Sequence, residues 1–245
     1  MILAIIPARW HSSRFPGKPL ADIGGKSMIQ RVYEQVSYAK TVQEIAVATD
    51  DQRILDHVRE FGGLAHLTSS RHLTGTDRCA ELAKKFPKAR IVVNVQGDEP
   101  FIQPEQIDLL TDLLGSAGNG FPIATLAKKI VEPAHLSSPN VVKVVFSEKT
   151  GALYFSRNPI PHLRGTPQER WLEAQDYFKH IGLYAFKRQA LLRIAQLSPT
   201  PLERAESLEQ LRWLENGYRI AVGVTEKETI GIDTPEDLEA ARAFI

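Results

Sequence analysis

Apolar positions follow two alternating rhythms through the first half of the chain. Short runs rich in β-branched residues, at Ile2–Ile6, Ile45–Ala48, Leu64–Leu67 and Ile91–Val95, have the length of strands buried on both faces. Between them apolar residues recur at helical spacing. Ile29, Val32, Tyr33 and Val36 form one set, and Ile54, Leu55, Val58 and Phe61 form the next. Further helices are expected near Asp77–Phe86 and after Pro104. Ser27 reads as the N-cap of the first helix with Gln30 completing a capping box, and Gly62-Gly63 ends the second. Strand-helix alternation of this kind predicts a mostly parallel central sheet flanked by helices, joined by right-handed crossovers. The pattern changes near residue 122. Ile123–Ile130, Val141–Phe146 and Ala152–Phe155 read as strands, with a hairpin turn at Glu148-Lys149-Thr150-Gly151, so an inserted antiparallel β segment is expected. Residues 156–178 are polar, carry three prolines and show no period, as in a functional loop. A strand at His180–Phe186, helices at 189–197 and 203–216, and a strand at Arg219–Val224 follow. Thr234 caps a last helix that has Pro235 at its first position.

Composition narrows the class without naming a chemistry. The 245 residues are 43% hydrophobic and 24% charged, enough for a packed α/β core. A net charge of +1 speaks against binding nucleic acid or an anionic membrane through overall charge, so any positive site must be local. The one cysteine, Cys79, excludes an intramolecular disulfide and a Cys-rich metal cluster, and is expected to be a small buried thiol. Residues 1–6 are too short for a signal or membrane segment, and no apolar stretch reaches spanning length. The expectation is one cytoplasmic domain over residues 1–245, since no linker divides the chain.

The candidate chemistry sits where strands end. Asn94-Val95-Gln96-Gly97-Asp98-Glu99-Pro100 follows Ile91-Val92-Val93, which places Asp98 at the carboxyl edge where open α/β sheets bind ligands. A second carboxylate, Asp233, lies in Gly231-Ile232-Asp233-Thr234-Pro235. Either acid alone could cap a helix or serve a turn. As a pair they suit Mg²⁺, which takes one or two carboxylates plus substrate phosphates, and zinc-type His and Cys spacings are absent. The loop from Pro7 to Pro19 leaves the first strand with Arg9, Arg14 and Lys18, cations suited to phosphate oxygens. It is not a Walker A loop, because Leu20 stands where the first glycine is required ahead of Gly25-Lys26-Ser27. A Rossmann Gly-x-Gly-x-x-Gly and a Gly-x-Ser-x-Gly elbow are also missing, which disfavours dinucleotide oxidoreductases and serine hydrolases. His180, which opens an apolar strand after the long loop, is the histidine to follow, and Arg157, at the end of Tyr154-Phe155-Ser156, and Arg164, within the loop, are candidates for binding an acidic substrate. Together these residues suggest a metal-dependent enzyme acting on a nucleoside triphosphate.

Six segments carry a more specific signal: Ile6-Pro7-Ala8-Arg9 with Arg14-Phe15-Pro16-Gly17-Lys18-Pro19-Leu20, Gly75-Thr76-Asp77-Arg78, the Asn94 to Pro100 run, Ala152-Leu153-Tyr154-Phe155-Ser156-Arg157, Glu206-Ser207-Leu208-Glu209-Gln210-Leu211-Arg212, and Gly231 to Asp237. With them the chain resembles the 3-deoxy-manno-octulosonate (Kdo) cytidylyltransferases from first strand to last helix. The resemblance implies an α/β fold of the nucleotidyltransferase, or nucleotide-diphospho-sugar transferase, type and a homodimer. It also implies transfer of CMP from CTP to Kdo, an acidic eight-carbon sugar, for lipopolysaccharide synthesis. Carried onto matching positions, Arg9, Arg14 and Lys18 meet the triphosphate. Pro7, Ala8, Arg9, Thr74, Gly75, Thr76, Arg78 and Gln96 surround the nucleotide. Asp98 and Asp233 hold Mg²⁺ and, with Lys18, form the catalytic set. Gln96, Arg157, Arg164, His180, Tyr184, Glu209 and Gln210 face the sugar acid. The alternatives are a cytidylyltransferase for 8-amino-Kdo or a sialic acid, and a silent nucleotide sensor, against which Lys18, Asp98 and Asp233 argue.

Overall fold

In a computed structural model, which describes residues 1–11, 15–116, 120–229 and 231–242, the apolar runs become the strands of one nine-stranded sheet. Along the chain run β1 (Ile2–Ala8), β2 (Asp22–Ile23), β3 (Lys26–Ser27), α1 (Met28–Ser37), β4 (Glu44–Thr49), α2 (Gln52–Glu60), β5 (Ala65–Leu67), α3 (Gly75–Lys84), β6 (Ile91–Asn94) and α4 (Pro104–Ser116). Then come β7 (Ile123–Lys129), α5 (Pro133–Ser137), β8 (Lys143–Ser147), β9 (Gly151–Ser156), α6 (Trp171–Ala174), β10 (Phe178–Lys187), α7 (Arg188–Ile194), α8 (Pro201–Glu206), α9 (Glu209–Glu215), β11 (Ile220–Val224) and α10 (Pro235–Arg242). The spatial order is β11-β7-β10-β6-β1-β4-β5, with the β8–β9 hairpin attached through β10 and a separate β2–β3 ribbon.

Pairing is parallel across β6, β1, β4 and β5 and between β11 and β7, while β10 runs antiparallel to both β6 and β7. The first-half runs are continuously apolar because both faces are covered. Ala4 and Ile6 of β1 pack under α1, α2 and α4 with Ile29, Val32, Ile54, Val58 and Ile107. Leu3 and Ile5 pack on the other face under α3, α7 and α9 with Cys79, Leu82, Leu191, Leu211 and Trp213. Cys79 is fully buried, and burial raises its thiol pKa far above the ordinary value. Because β10 is reversed, its second half pairs with β6 and Tyr184 stands opposite Asn94 at the carboxyl end of that strand. No helix among the described residues is long and apolar enough to cross a membrane.

Four local expectations change. The Ser27 hydroxyl accepts the Gln30 N–H at 3.2 Å, but the Gln30 amide turns to Glu34 at 3.1 Å, so only half of the expected box forms. Helix α3 begins two residues early because Thr74 and Asp77 make a reciprocal box. The single helix expected over 203–216 is two helices, α8 and α9, broken by Ser207 at φ +51°. Its cause is tertiary: the Glu206 carboxylate accepts the Ser156 hydroxyl at 2.7 Å and the Arg157 N–H at 2.9 Å, fastening the end of α8 to the end of β9. Residues 156–178 are not only loop. Trp171 and Tyr177 stack with centroids 5.8 Å apart and join Ile130 and Leu136 in a small apolar cluster. At the chain's end the Thr234 cap forms as expected, its hydroxyl accepting the Asp237 N–H at 3.2 Å.

Candidate active site

The carboxyl ends of β1 and β6 and the start of α3 enclose a cavity of about 220 Å³. Pro7, Ala8, Arg9, Lys18, Thr74, Gly75, Arg78, Gln96, Asp98 and Asp233, all named as candidates above, line it together with Pro19, His72, Leu73 and Gly97. Its floor is a close approach of two strand ends. A β carbon on Gly97 would lie 2.8 Å from the Pro7 carbonyl oxygen, so no larger residue fits there. Arg14 lies outside the described residues. Thr76 does not line the cavity: it is buried, and its hydroxyl donates to Glu209 at 2.8 Å. The buried Arg78 guanidinium is committed to Asp50 at 2.8 Å and to the Thr68 hydroxyl at 2.6 Å, which makes it part of the cavity's frame.

Asp98 and Asp233 meet at Lys18. The Lys18 ammonium donates to Asp98 Oδ2 at 2.6 Å, to the Ile232 carbonyl at 2.9 Å and to Asp233 Oδ1 at 3.4 Å. Gly17 at φ +73° turns the chain into the 3₁₀ turn Lys18–Leu20 and so aims this side chain. On the other side, the Ile232 N–H donates to the Asp98 carbonyl at 2.9 Å and ties the two acidic segments together. Both carboxylates are partly exposed, and among the described residues no third His, Cys, Asp or Glu joins them in a metal-holding group. Two hard carboxylates facing a cavity fit a cation that takes its remaining ligands from substrate oxygens and water.

The residues expected at a sugar acid lie deeper, on the β10 and α9 side. Glu209 accepts both the Thr74 hydroxyl, at 3.1 Å, and the Thr76 hydroxyl, and burial raises its pKa. Gln210 is buried beside it. The Tyr184 hydroxyl is buried without a hydrogen-bond partner, and its ring lies 5.2 Å from that of His180. Arg157 corrects an expectation. Its guanidinium does not open into the cavity but donates to the carbonyls of Glu206 at 2.7 Å, Pro139 at 2.9 Å and Ser207 at 3.4 Å. The strand end that carries it abuts the α8–α9 break, where unpaired carbonyls outcompete solvent for the fork. Arg164 is exposed and outside the cavity wall.

Two polar groups were not singled out from sequence. Glu99 Oε2 and Asn94 Oδ1 are buried and unpartnered, as is the Tyr184 hydroxyl opposite Asn94. Burial, and then the Asp98 charge, push the Glu99 carboxyl up to about 8. A buried polar atom without a partner costs about 1–3 kcal/mol, which a bound ligand or water recovers. Asn94 ends β6 and Glu99 stands in the run after it, and nothing in their spacing singled them out.

His180 shows which state this side of the site maintains. Its Nε2 is 2.9 Å from the Thr125 hydroxyl, and burial lowers the imidazole pKa to about 3. An unfolded His180 takes up a proton near its ordinary pKa of 6.5, whereas the folded one stays neutral down to about 3. Its contribution is therefore full above pH 6.5 and is lost as pH falls through that window. The stability advantage of wild type over His180→Gln should shrink between about pH 6.5 and 4, by at most about 1.4 kcal/mol per pH unit. Guanidinium denaturation of both proteins at several pH values measures it. A pH-independent difference would show that the folded imidazole takes up its proton at the same pH as the unfolded one.

A basic loop and paired carboxylates at the carboxyl edge of a mostly parallel sheet define a nucleotidyltransferase-type α/β enzyme. The chain belongs to the cytidylyltransferase family, whose model matches residues 3–224. It is 52% identical over 248 residues to the 3-deoxy-manno-octulosonate cytidylyltransferase of Parabacteroides distasonis, covering 99% of this chain and 97% of that one. Against the enzyme of the same name from Cytophaga hutchinsonii it is 52% identical over 239 residues, covering 97% and 94%. The solved structure of CMP:2-keto-3-deoxy-manno-octonic acid synthetase complexed with CTP superposes with a TM-score of 0.90 at 44% identity, covering 99% of this chain and 97% of that one.

Proposed function

We propose that the protein transfers CMP from CTP to the anomeric hydroxyl of Kdo, releasing pyrophosphate. The observation that carries this reading is the meeting of Lys18, Asp98 and Asp233 beside the cavity built by Pro7–Arg9 and Thr74–Gly75. In the reaction an oxygen–phosphorus bond forms between the sugar hydroxyl and the α-phosphorus. The bond from the α-phosphorus to the bridging oxygen breaks, and the hydroxyl proton passes to solvent. Arg9 and Lys18 bind the triphosphate, with Arg14 as a further cation. The Lys18 ammonium supplies a point charge where negative charge grows on the leaving oxygen. Asp98 and Asp233 would hold Mg²⁺, which neutralises phosphate charge and makes the attacking hydroxyl more acidic. Gln96, Glu209, Gln210, Tyr184 and neutral His180 orient the sugar acid. Arg157 shapes that side through its hold on the α8–α9 break and, with two of its five N–H donors left over, can still receive a carboxylate. The product would serve lipopolysaccharide synthesis in the cytoplasm, and the working form would be a homodimer.

Pyrophosphate release tests the reading with each nucleoside triphosphate and each sugar varied in turn. CTP should be used well ahead of ATP and GTP, because the loops at 7–9 and 74–78 that would hold the base are short and a purine is larger than the pyrimidine they would read. Kdo should be used ahead of a sialic acid. Comparable rates with ATP, or faster turnover of the sialic acid, would overturn the assignment.

A further inference from the structure

From the structure we infer that Trp10 is a positioning residue for the triphosphate, clamping the neck of the basic loop to helix α2 through Arg53. The inference rests on the assignment of Arg9 and Lys18 to CTP made above.

The loop between β1 and Lys18 is closed at its base. The Gly17 N–H donates to the Trp10 carbonyl at 3.0 Å, so the two ends of the loop are hydrogen-bonded neighbours. The Trp10 indole lies on Gly17, where an added β carbon would come within 3.1 Å of ring atom Cη2. With φ at +73°, Gly17 is thus demanded both by backbone and by the ring. Above the ring stands Arg53, its Cζ 3.4 Å from the ring centroid, a cation–π contact. Arg53 is itself held. Its Nε donates to Asp51 Oδ1 at 2.9 Å and its Nη2 to Asp51 Oδ2 at 2.7 Å, while Asp51 caps α2 by accepting the Arg53 N–H at 2.9 Å.

The consequence is a mechanical path from a rigid helix to two cations. Helix α2 is anchored in the core by Ile54, Leu55 and Val58. Its first turn presents a fixed guanidinium, the guanidinium fixes the indole, and the indole fixes the neck. Arg9 precedes Trp10 and Lys18 follows Gly17, so one side chain sets the position of both cations. The Arg53 half of the clamp lies at the surface, while the Trp10 ring is partly buried against the core. The Arg53 side chain is 56% exposed, so its loss takes no apolar group from the core. A defect at Arg53 should therefore appear in nucleotide binding and not in folding. Misplacement by about an ångström is enough to cost up to roughly 10²-fold.

The test compares wild type with Trp10→Ala, Trp10→Phe and Arg53→Met. CTP affinity is measured by titration calorimetry without sugar, the KM values for CTP and Kdo by pyrophosphate release, and the melting temperature by circular dichroism. Trp10→Ala should weaken CTP binding and raise the KM for CTP by about 10-fold, within the range for misplaced binding groups. The KM for Kdo should stay near wild type, and so should the melting temperature of Arg53→Met, whereas Trp10→Ala also removes a ring packed against the core and should melt lower. Trp10→Phe should recover most of the loss, because a phenyl face still meets Arg53. Arg53→Met keeps the ring and the helix, and should give an intermediate loss even if Trp10→Ala fails to fold. Unchanged CTP affinity in Arg53→Met and Trp10→Ala, or equal losses for CTP and Kdo, would overturn the clamp. Wild type that failed to bind CTP would instead overturn the functional reading on which the clamp rests.

Discussion

Asp98→Asn and Asp233→Asn should each lower turnover by about 10²–10³-fold, the range seen when a preorganised electrostatic group is removed from a reacting centre. The change is nearly isosteric, so what is lost is charge. In Asp98→Asn the Lys18 ammonium loses its 2.6 Å partner, and the cavity loses one of the two carboxylates that would share a cation. The main-chain bond from Ile232 N–H to the Asp98 carbonyl survives, so the segments stay together and the fold should persist. The acids are partly exposed, and an exposed ion pair contributes about 0–1 kcal/mol to stability. Activity and stability are thus expected to separate. Steady-state turnover across a Mg²⁺ titration, with melting temperatures alongside, decides the matter. Near-normal turnover of either variant at saturating Mg²⁺ would remove that carboxylate from the reacting centre.

Lys18→Met should also reduce kcat by about 10²–10³-fold, for a related electrostatic reason. The ammonium is well shielded and has three acceptors around it, Asp98 Oδ2, the Ile232 carbonyl and Asp233 Oδ1, at 2.6, 2.9 and 3.4 Å. Its removal leaves two carboxylates facing each other and facing the phosphates, with one positive charge fewer to offset them. Lys18→Arg should rescue poorly. A planar guanidinium cannot place its donors in the compact arrangement that these three acceptors require. Single-turnover and steady-state kinetics separate the outcomes. A variant with wild-type kcat and only a raised KM for CTP would show that Lys18 binds ground and transition states equally and has no special role in the chemical step.

Much of the frame was legible because both sheet faces are covered. A strand such as β1 must then be apolar at consecutive positions, and helices with one buried stripe must repeat every three to four residues. Caps at Ser27 and Thr234 were legible because capping is local chemistry. The α8–α9 break was not. Nothing near Ser207 stops a helix, and the turn is decided by Glu206 reaching Ser156 and Arg157, about fifty residues away. The role of Arg157 was obscured by the same contact, since a free guanidinium and one occupied by three carbonyls look alike in a sequence. The apolar cluster inside 156–178 escaped because Trp171 and Tyr177 stack at a spacing that belongs to neither regular period.

The division falls between local and distant causes. The sequence by itself determined the strand-helix alternation of the first half, the mostly parallel class of the sheet and the strand end at which Asp98 emerges, because hydrophobic period, capping and turn chemistry act over a few residues. Only the tertiary structure decided that Lys18 meets Asp98 across 80 residues of chain and Asp233 across 215. It likewise decided that Glu209 steadies Thr74 and Thr76, that burial keeps His180 neutral, and that Trp10 is held between Gly17 and Arg53. Those relations depend on how strands pair and which face each side chain takes, and a coulombic or hydrogen-bonded contact exists only once packing has brought its two partners within a few ångströms.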